Sequence, residues 1–87
     1  MNKVYMYCKD SCPFCTRAEI LLKDYGFQIT KIQIDQNPEE KTRMIEKTNL
    51  YTVPQIFIND IHIGGYDDLK SLSDSGKLFS LLHDNDS

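Results

Sequence analysis

The strongest constraint on this chain is Cys12-Pro13-Phe14-Cys15, set between a strand-like run, Lys3 to Tyr7, and a helix-like run, Arg17 to Tyr25. Pro13 suits the first helical position: its fixed φ is helical, and the N–H it lacks would have no intrahelical partner there. Cys12 is thereby placed at the N-cap and Cys15 one turn inside the helix. A helix N-terminus carries a partial charge of about +0.5 and unsatisfied N–H donors, so it stabilises an anion. Cysteines in this position have pKa values lowered from about 8.5 to about 3.5–7.5. Cys12 is the expected nucleophilic thiolate and Cys15 its resolving partner.

The cysteine count bears on compartment. All three cysteines fall between Cys8 and Cys15, whereas a secreted disulfide framework spreads even numbers along the chain. A reducing cytoplasm is the expected location. The N-terminus shows no signal-peptide pattern. No apolar run approaches the ~18–20 residues of a membrane span. The formal net charge of −3 argues against nucleic acid and anionic membranes as partners. At 87 residues, a single domain spanning residues 1–87 is expected. No apolar surface patch is evident in the sequence, so a monomer is expected too.

Lys3 to Tyr7 reads as a central strand buried on both faces. Cys8 to Ser11 is a polar loop. The first helix is expected from Pro13 to Tyr25, with Phe14, Ala18, Leu21, Leu22 and Tyr25 on one face and Gly26 ending it. Phe27 to Ile34 follows as a second strand. A strand–helix–strand path implies parallel pairing with a right-handed crossover. Asn37 reads as the N-cap of a second helix, with Pro38 at its first position and Asn49 as a left-handed cap at its end. Gln55 to Ile58 and Ile61 to Ile63 form a hairpin around Asn59-Asp60. Gly64-Gly65 breaks the sheet, and Asp67-Asp68 start a third helix. A last short helix spans Lys77 to His83, before a polar tail from Asp84 to Ser87. The element order implies an α/β fold in which a four-stranded mixed sheet lies between helical layers.

Four features, in order, resemble the glutaredoxins of the small bacterial dithiol class: CPFC after the first strand, TVPQIFI leading the third, Gly64-Gly65 after the fourth, and Asp67-Asp68 beside the next helix. The resemblance covers nearly the whole chain. It implies a thioredoxin-like fold with strand order 4-3-1-2 and strand 3 antiparallel. It also implies that helices one and three lie on one face with helix two on the other, and that Val53-Pro54 is cis. The implied activity is that of an enzyme, a glutathione-dependent disulfide oxidoreductase. It would act on protein disulfides and glutathionylated proteins, with glutathione as co-substrate and no permanently bound cofactor or metal.

The glutathione site carries over position by position. Cys12 would bond the glutathione sulfur, and Phe14, where the family usually has Tyr, would line its groove. Val53, before Pro54, would exchange backbone hydrogen bonds with the cysteinyl unit, flanked by Thr52. Gly65 and Tyr66 would lie along the γ-glutamyl end. Asp67 or Asp68 would meet its α-ammonium, and the helix-three N-terminus its α-carboxylate. Lys9, and with it Lys41, would meet the glycyl carboxylate. Three further departures stand out: Cys8 replaces a common Thr or Ser, Leu50 sits where many members are basic, and Tyr66 is bulkier than usual.

Competing readings are weaker. A zinc half-site at Cys12 and Cys15 lacks a second Cys/His cluster. A [2Fe–2S] centre shared by two protomers through Cys12 and two glutathiones is the runner-up, but relatives specialised for it resemble CGFS, and Pro13 and Cys15 depart from that. Relatives that take electrons from thioredoxin reductase lack the paired acids after the glycines. Cys8 reads as an inert strand-end residue, and His62 and His83 as surface residues. Lys9 and the helix dipole are the expected stabilisers of the Cys12 thiolate.

Overall fold

The computed structural model describes residues 3–84, with side chains through residue 81. The expectations for His83 and for the tail after Asp84 lie outside the described side chains and residues. The elements are β1 (Val4–Cys8), α1 (Pro13–Asp24), β2 (Ile29–Gln33), α2 (Pro38–Thr48), β3 (Gln55–Ile58), β4 (Ile61–Gly64), α3 (Tyr66–Asp74) and α4 (Lys77–Asp84). The sheet order is β2-β1-β3-β4, the expected 4-3-1-2 viewed from the other edge. β1 pairs parallel with β2 and antiparallel with β3, and β3 antiparallel with β4.

The period-two alternation of a strand sorts the core into two layers. Val4, Met6, Cys8, Ile56 and Ile58 pack with Cys15, Ala18 and Leu22 of α1, Leu69 of α3 and Leu78 of α4. Tyr7 and Phe57 point the other way and pack with Met44 of α2. Central β1 and β3 therefore bury both faces, whereas β2, at an edge, is at best half-buried. β2 is shorter than Phe27 to Ile34, because the Phe27 N–H donates back to Leu22 O at the end of α1 and not into the ladder.

Four local details differ from expectation. Cys8 is not in the loop but ends β1, paired with Gln33. Phe14 is not on the core face of α1; it is 49% exposed, and Cys15 takes the inward position with Ala18 and Leu22. Asn37 precedes α2 but makes no side-chain cap; its Nδ2 donates to Gln33 O instead, at 3.0 Å. Gly64 does not break the sheet but completes β4, opposite Ile56.

The turns follow their residue types. Asn59 and Asp60 have φ of 51° and 67°, the doubly positive pattern of a tight hairpin that Asn and Asp tolerate. Asn49 ends α2 at φ 59°, donating its N–H to Ile45 O at 2.8 Å. Gly64 adopts φ +114°, and a Cβ there would collide with the Asp68 carboxylate.

Candidate active site

Cys12 is the N-cap of α1, in extended conformation at φ −109° and ψ 101°. Its carbonyl accepts the N–H of Thr16 at 3.1 Å, and its Sγ accepts the N–H of Cys15 at 3.2 Å. Sulfur thus sits where an N-cap oxygen would, facing donors that the helix cannot use itself. Cys12 and Cys15 are joined as a disulfide, with Cα atoms 5.2 Å apart, a separation within the usual range for such bonds. Cys15 is 6% exposed. Cys12 is half-buried.

The Val53–Pro54 peptide is cis, and Cys12 Sγ lies 4.0 Å from Val53 O. Two cavities meet at the segment Thr52-Val53. One, of about 240 Å³, is lined by Phe14, Pro54, Gly65, Tyr66, Asp67 and Asp68 among others. The other, of about 480 Å³, is lined by Lys9, Asp35, Lys41 and Tyr51 as well as Thr52 and Val53. The structure therefore brings the residues expected to line the groove along one ledge, with Cys12 Sγ beside it. It separates the acidic and aromatic ones from the two lysines.

Several placements refine the expectations. Helix α3 begins at Tyr66, one residue before Asp67, with Gly65 as N-cap. Asp68 Oδ2 accepts the Gly65 N–H at 3.0 Å, so that carboxylate already serves the helix. Tyr66 and Phe14 face one another, ring centroids 6.0 Å apart, and the Arg17 guanidinium lies 5.3 Å above the Phe14 ring. Lys9 is exposed and borders both the lysine-side cavity and a third cavity, of about 500 Å³, behind the two cysteines.

Cys8 lies at that third cavity but is 2% exposed. Burial pushes its thiol pKa up, against a smaller opposing pull from Lys31, and its Sγ lies 3.8 Å from Ile32 O. A buried, protonated thiol is a poor nucleophile. Glu19, also at this cavity, is partly buried, which alone would raise its carboxyl. Hydrogen bonds from Lys23 and Lys31 outweigh that and hold it below the usual carboxylate range.

Two further residues belong to the site, Gln55 lining the smaller cavity and Arg17 over the Phe14 ring, and the sequence reading assigns neither to it. Arg17 gave no signal, being one charge on an exposed helix face. Gln55 did carry one: a polar side chain inside the apolar run Val53 to Ile58, at 1% exposure, must find partners. Among the described residues, no group of three or more His, Cys, Asp or Glu side chains is arranged to hold a metal ion. No described helix is long and apolar enough to cross a membrane.

Residues 4–63 match the glutaredoxin family model. The chain is 44% identical to glutaredoxin 3 of Escherichia coli K12 over 82 residues, 94% of this chain and 99% of that protein. It is 42% identical to a glutaredoxin of Pseudomonas aeruginosa, over 94% of this chain and 98% of that one. Among solved structures it resembles a buckwheat glutaredoxin–glutathione complex, with TM-score 0.86 and 29% identity, over 95% of this chain and 78% of that one. A glutaredoxin from Brucella melitensis aligns with TM-score 0.80 and 44% identity, over 92% of this chain and 87% of that chain. A disulfide closed at the head of a helix is what such a likeness leads one to look for, and the protein belongs to the glutaredoxin family as a thiol–disulfide oxidoreductase of that type.

Proposed function

We propose that the protein reduces glutathione mixed disulfides and protein disulfides at Cys12, with glutathione as reductant. One observation carries the reading: two cavities of opposite character meet at Thr52-Val53, beside Cys12. Glutathione has a cysteinyl unit in the middle, an ammonium and a carboxylate at one end, and a carboxylate at the other. Val53 offers its N–H and C=O to the cysteinyl backbone as an added strand would. Phe14, Pro54, Gly65 and Tyr66 wall the γ-glutamyl end. Asp68 is occupied by Gly65, so Asp67 is the carboxylate assigned to the α-ammonium. The N-terminus of α3 takes the α-carboxylate. Lys9 and Lys41 take the glycyl carboxylate. That the buckwheat relative forms a complex with glutathione supports glutathione as the ligand.

The chemistry is exchange between sulfurs. In the monothiol route, the Cys12 thiolate attacks the glutathionyl sulfur of a mixed disulfide. The Cys12–glutathione bond forms, the old S–S bond breaks, and the protein substrate leaves as a thiolate that takes a proton from solvent. A second glutathione thiolate then attacks the bound glutathionyl sulfur, releasing glutathione disulfide and restoring the Cys12 thiolate. In the dithiol route, Cys12 attacks a protein disulfide, and Cys15, once deprotonated, attacks the Cys12 sulfur. The substrate leaves as a dithiol, and the Cys12–Cys15 disulfide remains. Two glutathiones reduce it. The activity needs one domain and one copy of the chain, and the clustered, labile cysteines suit a reducing cytoplasm.

The test is turnover of a glutathione mixed disulfide with glutathione, glutathione reductase and NADPH, run beside thioredoxin reductase and NADPH. Turnover in the first system is expected. Turnover in the second alone would contradict the reading.

A further inference from the structure

Gln55, at the head of β3, is buried and takes no part in the sulfur chemistry. Its Nε2 donates to Thr52 O at 3.1 Å and to Thr52 Oγ1 at 3.4 Å. Its Oε1 lies 2.8 Å from His62 Nε2. The roles are fixed by chemistry. Thr52 O accepts only, so the amide nitrogen must face it; Oε1 then faces His62, and His62 Nε2 must carry a proton. The imidazole is held against the Phe57 ring, centroids 4.9 Å apart, and Phe57 is its cross-strand partner in the β3–β4 register. A chain of hydrogen bonds therefore runs from the edge strand, through a buried amide, to the carbonyl just before Val53.

That carbonyl shares a peptide plane with the Val53 N–H. The Thr52–Val53 peptide is trans, so its C=O and N–H point in opposite directions. Holding Thr52 O holds the direction of the Val53 N–H. The Val53 N–H, one of the two backbone groups that a strand-like ligand would use, is thus oriented from the Thr52 side.

We propose that Gln55 and His62 are positioning residues for the disulfide substrate: the His62–Gln55–Thr52 chain sets the plane of the Thr52–Val53 peptide and aims Val53 at the cysteinyl backbone. The proposal rests on the reading that glutathione pairs with the Val53 backbone. Neither side chain touches the reacting sulfurs. Their removal weakens substrate docking and leaves sulfur attack as it was.

Reduced protein is mixed with glutathione disulfide, or with bis(2-hydroxyethyl) disulfide, which has no peptide backbone. Single-turnover rates are followed by the mass of the acid-quenched protein. The wild type is expected to prefer glutathione disulfide. Gln55→Leu is expected to lose about tenfold in the subsaturating rate with glutathione disulfide, the worth of one well-made hydrogen bond, with its rate on the hydroxyethyl compound unchanged. His62→Ala is expected to lose about threefold, and His62→Gln, which keeps an N–H donor at that edge, to recover most of it. Equal falls on both disulfides, or a wild-type preference retained in Gln55→Leu, would overturn the proposal. If Gln55→Leu does not fold, the exposed His62 variants decide, and identical rates for His62→Ala and His62→Gln overturn it. A wild type with no preference between the disulfides overturns the docking reading itself, and this proposal with it.

Discussion

At the scale of single residues, the two reacting sulfurs differ in surroundings more than in chemistry. Cys12 sits half-buried at the helix mouth, and Cys15 is buried beneath it. Cys12→Ser is expected to abolish both deglutathionylation and protein-disulfide reduction in coupled assays. Cys15→Ser is expected to lose the dithiol route and keep deglutathionylation; a Cys15→Ser protein with neither activity would refute that division of labour. Cys8 makes a contrasting case. Its burial raises its pKa, so in native reduced protein Cys8 should react with an aromatic disulfide reagent at least tenfold more slowly than Cys12. Equal rates would show that the cavity behind the cysteines admits reagents to a thiolate at Cys8. The placement of the two cysteines was legible because Pro13 fixes a helix start. The Gln55–His62 pair was not, since its two members are seven residues apart and meet only through the hairpin.

At the scale of elements, periodicity located α1, cap and turn residues bounded most of the other elements, and the errors fall where tertiary packing chose among local options. Phe14 satisfies the apolar spacing of α1, yet Cys15 is the residue that turns inward, because it shares one helix face with Ala18 and Leu22 at i+3 and i+7. Asn37 is a good cap by type, but the Gln33 carbonyl competes for its amide. The paired glycines read as a break in the sheet, but Gly64 completes β4 and has the positive φ, and Gly65 does not. This asymmetry is testable. Gly64→Ala places a Cβ in the left-handed region and against the Asp68 carboxylate that caps α3. It is expected to cost about 1–3 kcal/mol in chemical denaturation. Leu22→Ala, in the core beneath α1, is expected to cost about 2–5 kcal/mol. A Gly64→Ala protein as stable as the wild type would mean that the turn after β4 relaxes freely.

At the scale of the whole molecule, a sheet buried on both faces presents one end to the chemistry: the helix mouth, the cis-proline ledge and the start of α3 converge there. That convergence follows from the strand order, which the sequence supplied only through its resemblance to a family. The protein is acidic overall, yet Lys9 and Lys41 share the cavity proposed for the glycyl carboxylate. Exposed pairs of this kind are worth about 0.2–1 kcal/mol and are screened over about 8 Å at physiological salt. Lys9→Ala is therefore expected to raise KM for a glutathionylated peptide about two- to fivefold at low salt, and less at high salt. Behind the two cysteines, Glu19 joins α1 to β2 through Lys31 at 3.3 Å. Its carboxyl lies lower in the folded than in the unfolded chain. Its contribution is thus present above the unfolded value, about 4.3, and is lost as pH falls through the folded one. Glu19→Gln should flatten the acid limb of a thermal-melting series below about pH 5.

Every route above begins with an ionised sulfur at the head of α1. The direct measurement is the pH dependence of iodoacetamide alkylation of Cys12 in the reduced protein, with the modified residue identified by peptide mass. A midpoint below about pH 7.5 is expected. A midpoint at or above about 8.5, the value of an unassisted thiol, would contradict the account.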